Sequence, residues 1–291
     1  DKLREQYGVG PVCSELHIAP STYYHCQQQR HHPDKRSARA QHDDWLKREI
    51  QRVYDENHQV YGVRKVWRQL LREGIRVARC TVARLMAVMG LAGVLRGKKV
   101  RTTISRKAVA AGDRVNRHFV AERPDQLLVA DFTYVSTWRG FVYVAFIIDV
   151  FAGYIVGWRV SSSMETTFVL DALEQALWAR RPSGTVHHSD KGSQYVSLAY
   201  TQRLKEAGLL ASTGSTGDSY DNAMAESING LYKAEVIHRK SWKNRAEVEL
   251  ATLTWVDWYN NRRLLERLGH TPPAEAEKAY YASIGNDDLA A

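Results

Sequence analysis

The chain has few cysteines, no apolar leader and no long uninterrupted apolar run. Its three cysteines show no paired spacing, which argues against a disulfide framework or a zinc site and predicts reduced thiols in a cytosolic protein. The N-terminus opens with charged residues, so we expect no signal peptide. The longest apolar stretch, residues 141–158, is interrupted by one aspartate and two glycines and is rich in aromatic and β-branched residues. It therefore predicts two buried strands and argues against a membrane span.

The composition is that of a globular protein with an excess of positive charge. At 291 residues the chain is long enough for one sizeable domain and one or two small ones. It is 44% hydrophobic and 25% charged, so disorder is not expected. The net charge of +9 predicts attraction to a polyanion, and DNA and RNA are the commonest such partners. The alternative is a soluble basic protein without such a partner, and charge alone does not decide between the two.

Residues 1–30 predict a small helical segment. Residues 16–24 indicate a helix, a tight turn and a second helix that a Ser or Thr caps. This pattern fits a helix-turn-helix element, and a plain helical hairpin is the alternative. Residues 31–39 are polar and basic, and we interpret them as a linker.

Residues 43–93 predict a second helical unit of three short helices. Apolar residues recur at helical spacing in each helix, glycines follow the second and third, and Thr81 is the expected cap of the third. A basic third helix favours a DNA-reading module over a packing domain whose arginines are only solvated. The candidate DNA contacts in this unit are Arg64, Lys65, Arg79 and Arg84.

Residues 94–120 are strongly basic and show poor periodicity. Eight Lys and Arg residues stand there against one acid, Asp113. This composition favours a linker that follows a DNA phosphate backbone, and a solvated tether is the plainer alternative. The candidate DNA contacts are Arg96, Lys98, Lys99 and Arg101.

From residue 121 onward the pattern predicts a layered α/β core. Strands are expected at 127–135, 141–148, 154–160, 185–188 and 209–212, and helices at 165–180, at 198–207 and from about 218. The strands are apolar at both their odd and their even positions, which point to opposite faces of the sheet. This indicates a sheet covered by helices on both faces. We place the core at 121–240 and a helical tail at 241–291.

Three acidic residues in this core each lie in a local signature: Asp131 in LVADFTY, Asp190 in HSDKGSQY and Glu226 in DNAMAE. The first two are separated by 58 residues and the last two by 35. Three carboxylates gathered by a fold make a site for a pair of hard divalent cations. In a basic protein, such a metal pair predicts chemistry on phosphodiesters.

The surroundings of the first acid favour a metal role. Asp131 lies inside a predicted central strand, where burying a carboxylate costs several kcal/mol unless it is compensated. A divalent cation would compensate it, and backbone donors at a strand end are the alternative. The rival Asp149 ends a strand at a turn, where an Asp side chain commonly accepts turn amide hydrogens, so we interpret it as structural.

The other two acids have different surroundings. Asp190 lies at the mouth of a strand, where ligands of α/β sheets gather, and at most one of the preceding His187 and His188 could assist it. Glu226 is expected about two turns into its helix, on one face with Asn222 and Lys233, which could place an acid on the metal and a lysine on DNA phosphate. The plainer alternative for Glu226 is a solvated helix acid. Asp218 and Asp221 are expected to cap this helix.

The three signatures, with 35 residues before the glutamate, resemble the catalytic core of DDE transposases and retroviral integrases. The resemblance is closer still to the second-frame transposase of the IS-three family of bacterial insertion sequences, and it covers nearly the whole chain. Residues 18–24 are similar to the N-terminal segment of that family, residues 60–67 to its helix-turn-helix module, and residues 258–264 with 271–275 to its C-terminal tail.

The resemblance implies a ribonuclease H-like fold and a two-metal site. Asp131 and Asp190 would share one ion and Glu226 would complete the second site, with Mg²⁺ as the expected ion and Mn²⁺ as an alternative. The implied reaction is copy-out transposition, in which one nicked DNA end attacks beside the other and a circle later integrates. Joining two ends of double-stranded DNA implies at least a homodimer, acting in the bacterial cytoplasm at the nucleoid and not at a membrane.

The chain departs from the family pattern in a few places. Leu128 and Leu265 stand where many relatives have Trp and His, and neither position supplies a metal ligand. The His/Cys zinc module of retroviral integrases is absent. In this family the full transposase is a frameshift fusion with an upstream helix-turn-helix and leucine zipper, elements that this chain lacks.

Two other functions compete with transposition. A metal-dependent nuclease on the same fold would cut DNA without joining it. A DNA-binding regulator with an idle core would bind DNA ends without Mg²⁺-dependent chemistry.

Overall fold

The computed structural model describes residues 2–95, 115, 119–190, 192–213 and 222–290. The chain divides into two compact units, Asp1–Ala92 and Gly93–Ala291. Within the described ranges, no helix is both long and apolar enough to cross a bilayer.

The described part of the first unit is helical. Its helices are α1 (Lys2–Tyr7), α2 (Val9–Glu15), α3 (Pro20–His31), α4 (Ala38–Glu56), α5 (Val63–Arg72) and α6 (Arg79–Val88). Helices α4, α5 and α6 contact one another and bury Leu46, Ile50, Val66, Leu70 and Leu85 between them. These apolar positions recur at helical spacing along each helix, so the burial follows from the sequence pattern.

Two helix starts in this unit correct the predicted caps. Helix α3 has Ala19 at its N-cap and Pro20 at its first position, so the following Ser and Thr lie inside the helix and do not cap it. The fixed φ of proline suits this first helical position. Helix α6 has Ala78 at its N-cap, which places Thr81 inside the helix. The predicted Thr81 cap is therefore wrong.

The segment interpreted as a linker is largely helical. Helix α3 extends to His31, a short 3₁₀ turn covers Pro33–Lys35, and α4 begins at Ala38. The Ser37 side chain accepts a hydrogen bond from the N–H of Ala40 at 3.3 Å. This cap explains why α4 begins earlier than its apolar spacing indicates.

Within the described residues, the second unit is built on a five-stranded mixed sheet. Its strands are β1 (Leu127–Thr137), β2 (Gly140–Asp149), β3 (Tyr154–Ser161), β4 (Val186–Ser189) and β5 (Leu210–Thr213), in the order β3-β2-β1-β4-β5. Strands β1, β2 and β3 pair antiparallel, whereas β4 runs parallel to both β1 and β5. The accompanying helices are α7 (Thr166–Arg180), α8 (Leu198–Glu206), α9 (Ala223–Glu235), α10 (Arg245–Asn261) and α11 (Pro273–Ala290).

Helices cover both faces of this sheet. Alternate residues of β1 and β2, such as Leu128 and Ile147, lie in one apolar core with α7. The opposite parity packs against α9 and α10, and the ring centroid of Phe146 lies 5.2 Å from that of Tyr232 and 6.0 Å from that of Trp255. This arrangement is why the strands are apolar on both parities.

Gly157 in β3 permits a close approach of α7. A Cβ atom at this position would lie 2.2 Å from the carbonyl oxygen of Ala172. The glycine that interrupts the long apolar run is therefore a packing requirement between the edge strand and the helix.

Polar contacts attach the C-terminal tail to the core. The side-chain amide of Asn260 in α10 bonds both the N–H and the C=O of Ile155, each at 2.9 Å. Arg263 forms a buried ion pair with Glu235 at the end of α9, with Nε 3.1 Å from Oε2. These contacts account for the Asn and Arg residues in the 258–264 motif.

Candidate active site

The parallel pairing of β1 and β4 places Asp131 beside Asp190. The register aligns Ala130 with Ser189, so the next residue of each segment is an acid. Asp131 pairs across the sheet with Phe146 and therefore lies on the face that α9 covers. Asp190 directly follows the carboxyl end of β4, where ligands of such sheets commonly bind.

Two asparagines attach α9 to β1 on either side of Glu226. Nδ2 of Asn222 donates to the carbonyl of Ala130 at 2.9 Å, and Nδ2 of Asn229 donates to Oδ2 of Asp131 at 2.9 Å. The offset of three residues puts Glu226 on the same helix face as Asn229. The third acid thus projects from the face of α9 that meets β1.

Glu226 lies in the first turn of α9. The sequence pattern predicts a position about two turns into the helix, and that prediction is wrong. Asn222 has a non-helical backbone, with φ −135° and ψ 33°, and the helix begins after it at Ala223. The Asn222 side chain is held by β1 and makes no cap hydrogen bond. The predicted caps Asp218 and Asp221 lie outside the described residues.

The three carboxylates interact electrostatically. The pKa of Asp131 is raised to about 7, first by burial, then by the negative charge of Asp190 and to a smaller extent by Glu226. Hydrogen bonds from Asn229 and from the N–H of Phe132, at 2.8 Å, oppose this rise. Burial also raises the pKa of Asp190, although its Oδ1 accepts the N–H of Gly192 at 3.0 Å.

The acids are neighbours and do not form a closed cage. Among the residues that the structure describes, no three His, Cys, Asp or Glu side chains lie close enough to enclose a metal ion. The donor set nevertheless fits a hard divalent cation, which binds carboxylate oxygens. The raised pKa of Asp131 reflects carboxylate repulsion and desolvation that a cation would relieve.

Among the residues that the structure describes, three buried polar atoms near the acids find no hydrogen-bond partner: Oδ1 of Asn222, Oδ1 of Asn229 and the hydroxyl of Tyr195. Burial raises the pKa of Tyr195, and Tyr200, Asp131 and Asp190 add to the rise, which places the ring near both acids. Buried polar atoms are costly unless they are bonded, so these groups can bond water or substrate. The sequence reasoning missed Asn229, although its spacing of three from Glu226 was a usable signal.

Lys233 lies near Asp131, in agreement with its predicted place on the helix face that carries Glu226. Burial lowers its pKa, and the negative charge of Asp131 partly restores it. Its Nζ atom lies 5.1 Å from the ring centroid of Tyr134. A half-buried cation at this position can meet a phosphate that approaches the carboxylates.

The two histidines before Asp190 are held in the core. Nε2 of His187 lies 3.0 Å from the hydroxyl of Tyr200, and Nδ1 of His188 lies 2.9 Å from Oγ of Ser212. Burial lowers the pKa of His187 to about 4, which keeps it neutral at physiological pH. Their contacts are those of structural histidines.

The structural interpretation of Asp149 is confirmed. The residue is fully buried, and its carboxylate accepts the N–H of Asp125 at 2.7 Å and the N–H of Phe151 at 3.0 Å. One oxygen is thus used by the backbone of the turn and the other by the segment that precedes β1.

Comparison with known proteins agrees with this geometry. Residues 121–219 and residues 207–273 match two models of an integrase core domain, and residues 41–99 match a model of an HTH-like domain. Over 291 residues, the chain is 97% identical to the transposase for insertion sequence element IS629 of Shigella sonnei, covering 100% of this chain and 98% of that protein. The chain belongs to the insertion-sequence transposases. The family resemblance drawn from the sequence motifs is confirmed.

The transposase has more distant relatives too. It is 54% identical to the putative transposase for insertion sequence element IS986/IS6110 of Mycobacterium tuberculosis, over 91% of this chain and 96% of that protein. Among solved structures, it is similar to the HTLV-2 integrase catalytic core domain in complex with magnesium, with 12% identity and a TM-score of 0.42, over 54% of this chain and 99% of that one. The integrase-core match and the mixed sheet between helices confirm the predicted ribonuclease H-like α/β fold.

Two of the predicted DNA contacts lie at the acid site: Lys233 is described above, whereas Asn222 is buried and its amide bonds the carbonyl of Ala130. The other predicted DNA contacts of the transposase fall into three groups. Arg64 and Arg79 are exposed, and Nζ of Lys65 lies 5.3 Å from the Tyr61 ring centroid. Arg84 differs, because it contacts both carboxylate oxygens of Asp43 at 2.9 Å and is partly neutralised. The candidates in the basic segment lie outside the described residues: Arg96, Lys98, Lys99 and Arg101.

Proposed function

We propose that the transposase uses Asp131, Asp190 and Glu226 to cleave and join DNA strands at the ends of its insertion sequence. The observation that carries the proposal is the register of β1 with β4, which brings Asp131 beside Asp190, together with the 2.9 Å hydrogen bond from Asn229 of α9 to Asp131. Burial and the other two acids raise the pKa of Asp131 to about 7. A fold that gathers three acids at this cost is explained by a bound divalent cation. We infer two Mg²⁺ ions, for which Mn²⁺ can substitute.

The residues around the site would have separate roles. Asp131 and Asp190 would hold one ion between them, and Glu226 would complete the second site. When bound, the ions supply activation of the attacking water or 3′-hydroxyl and stabilisation of the leaving 3′ oxygen. Asn229 would keep the Asp131 carboxylate oriented through its 2.9 Å hydrogen bond, and Lys233 would hold a DNA phosphate beside it.

The substrate would be double-stranded DNA at the terminal inverted repeats and at the target. The HTH-like match at residues 41–99 supports end recognition by the helical unit, and the basic segment at 94–120 would contact phosphates. Copy-out transposition joins two ends, so we infer a homodimer or larger assembly on DNA. It would work in the bacterial cytoplasm, where the nucleoid lies.

A strand-transfer assay tests the assignment with Asp131→Asn, Asp190→Asn and Glu226→Gln. Each should lower joining by more than about 100-fold, because losing a ligand costs more than losing an outer hydrogen bond to one. The matched control is Asp171→Asn in α7, whose exposed carboxylate lies 3.1 Å from Arg159 and should leave joining unchanged. If any of the three variants joins DNA at nearly the wild-type level, the assignment of these acids as metal ligands is wrong.

The same assay separates the rival functions. Hydrolysed ends without joined products would favour a nuclease on this fold. Specific end binding without any Mg²⁺-dependent chemistry would favour a regulator with an idle core.

A further inference from the structure

Large aromatic side chains are exposed at the end of the β1–β2 hairpin. Tyr134, Trp138 and Phe141 are 58%, 72% and 57% exposed there. The ring centroid of Tyr134 lies 5.6 Å from that of Phe141, with the ring planes at 89°. Tyr134 follows Asp131 by three residues, so the two side chains leave β1 on opposite faces, and Lys233 of α9, whose Nζ lies 5.1 Å from the Tyr134 ring centroid, links this end of the hairpin to the acid site. We call Tyr134, Trp138 and Phe141 the aromatic platform. Clustered exposed aromatic rings commonly mark a binding surface.

Hydrogen bonds hold this end of the hairpin in place. Oγ1 of Thr137 donates to the carbonyl of Gly140 at 2.7 Å and accepts the N–H of Arg139 at 3.2 Å. The N–H of Trp138 donates to the carbonyl of Trp242 at 3.0 Å. A surface fixed in this way loses little conformational freedom when it binds a partner.

Positive charge flanks the platform. Lys233 lies over the Tyr134 ring. A groove of about 380 Å³ lies beside Phe141, and its lining includes Thr137, Arg139, Phe141, Ser162, Asn244 and Arg245. No acidic side chain is among the described residues that line it. Arg139 is exposed and makes no ion pair with the described residues, and Arg245 approaches Glu249 only to 3.8 Å. The groove is therefore suited to phosphate.

This combination discriminates between paired and unpaired DNA. Bases inside a duplex cover one another's faces, so aromatic side chains reach them only where the strand is unpaired or its bases are turned out. Aromatic rings beside a basic path along the backbone are the usual elements of a single-strand site. The exposed rings and the nearby arginines are the elements of such a site.

We propose that the aromatic platform binds unpaired nucleotides of a DNA strand beside the acid site. Bases would stack on Tyr134 and Phe141, and phosphates would contact Arg139 and Arg245. The proposal rests on the proposed function in taking DNA as the substrate, and it adds a requirement that the DNA end opens before it reacts. Stacking does not read sequence, because every base has an aromatic face.

The test uses the full chain and two DNA probes of one arbitrary sequence. One probe is a duplex with a fork of about three unpaired nucleotides that includes 2-aminopurine, and the other is the blunt duplex. Binding is measured in EDTA, so that no strand is cut. We expect the wild-type chain to bind the fork more tightly and to quench 2-aminopurine by stacking.

Tyr134→Ala and Phe141→Ala should each weaken fork binding about 5- to 150-fold, the equivalent of about 1–3 kcal/mol per base, and should reduce the quenching. Blunt-duplex affinity should stay unchanged, and Tyr134→Phe should behave as wild type because it keeps the ring. The matched control is Trp178→Ala on α7, which removes an aromatic side chain that is 82% exposed. It should leave both affinities unchanged.

If the wild-type chain binds the two probes with equal affinity, the proposal is overturned. It is also overturned if both alanine variants quench 2-aminopurine fluorescence as fully as the wild-type chain does. Equal loss of affinity for both probes would overturn it too, because stacking predicts a selective loss. The assay involves no chemistry, so it is independent of strand transfer. A chain that prefers the fork but never cuts DNA would refute the proposed function and leave the platform standing.

Discussion

The metal-free protein should become more stable when Asp131 is replaced by Asn. The carboxylate is largely buried beside Asp190 and Glu226, and these surroundings raise its pKa to about 7. Because the folded-state pKa exceeds the unfolded value, ionisation of Asp131 opposes folding. The penalty is absent well below pH 4, grows between about pH 4 and pH 7, and is complete above pH 7. Asparagine removes the charge and keeps the shape.

The magnitude follows from the same numbers. A rise from the ordinary pKa of 3.8 to about 7 corresponds to a ceiling of about 4 kcal/mol. The side chain keeps some solvent contact, so we expect about half of this, ~2 kcal/mol, at pH 8. Asn229 can turn its unpartnered Oδ1 toward the new amide, so hydrogen bonding does not offset the gain. The melting temperature should rise by about 4–8 °C.

Thermal unfolding in EDTA at pH 5 and pH 8 measures the effect. The gain at pH 5 should be clearly smaller than that at pH 8. Added Mg²⁺ should stabilise the wild-type protein at pH 8 and should have little effect on the Asp131→Asn variant, because a bound cation offsets the repulsion only where the carboxylate is present.

Asp149→Asn is the matched control, since Asp149 is also buried and also has a raised pKa. Both of its oxygens accept backbone N–H groups, so the amide loses an acceptor and the variant should be destabilised by about 1–3 kcal/mol. A pH-independent gain for Asp131→Asn, or no gain at pH 8, would refute the electrostatic reasoning.

Three further predictions follow from individual contacts. Asn229→Ala removes a donor that lowers the pKa of Asp131, so the midpoint of the pH–rate profile should move upward; an unmoved midpoint would contradict a positioning role. Glu235→Gln removes the negative charge that faces the buried Arg263 and should cost about 3–5 kcal/mol, measured by urea unfolding. A loss below about 1 kcal/mol would show that the ion pair is dispensable. Arg79→Ala should weaken DNA binding and reduce the slope of log affinity against log salt concentration by about one. Arg84→Ala should have a smaller effect on both, because Asp43 already pairs with Arg84. Equal effects of the two variants in anisotropy titrations would exclude this distinction.

The strands could be predicted from the sequence, but their order could not. Apolar residues on both parities located β1, β2 and β3 to within about two residues. The contact between Asp131 and Asp190 depends on the parallel pairing of β1 with β4, which no local pattern contains. The three signatures suggested that the acids meet, and the register explains how the first two do.

Contacts that are distant in sequence are what local preference could not supply. The sequence places the cap of α6 at Thr81, whereas the helix begins after Ala78. The side chain of Asn222, which precedes α9, is bound to β1 at Ala130. Arg84 stays a candidate DNA contact, and its charge is paired with Asp43, which lies 41 positions away in the sequence.

The position of Glu226 depends on residues at both ends of α9. Asn222 and Asn229 fix the beginning and the middle of the helix to β1. Glu235, at its last position, is fixed by the buried contact to Arg263 in the C-terminal motif. A helix bound along its length can rotate little, so the direction of Glu226 toward Asp131 is determined by contacts that lie outside the acids themselves. The tail motif, although far from the acids in sequence, therefore contributes to the geometry of the site through α9.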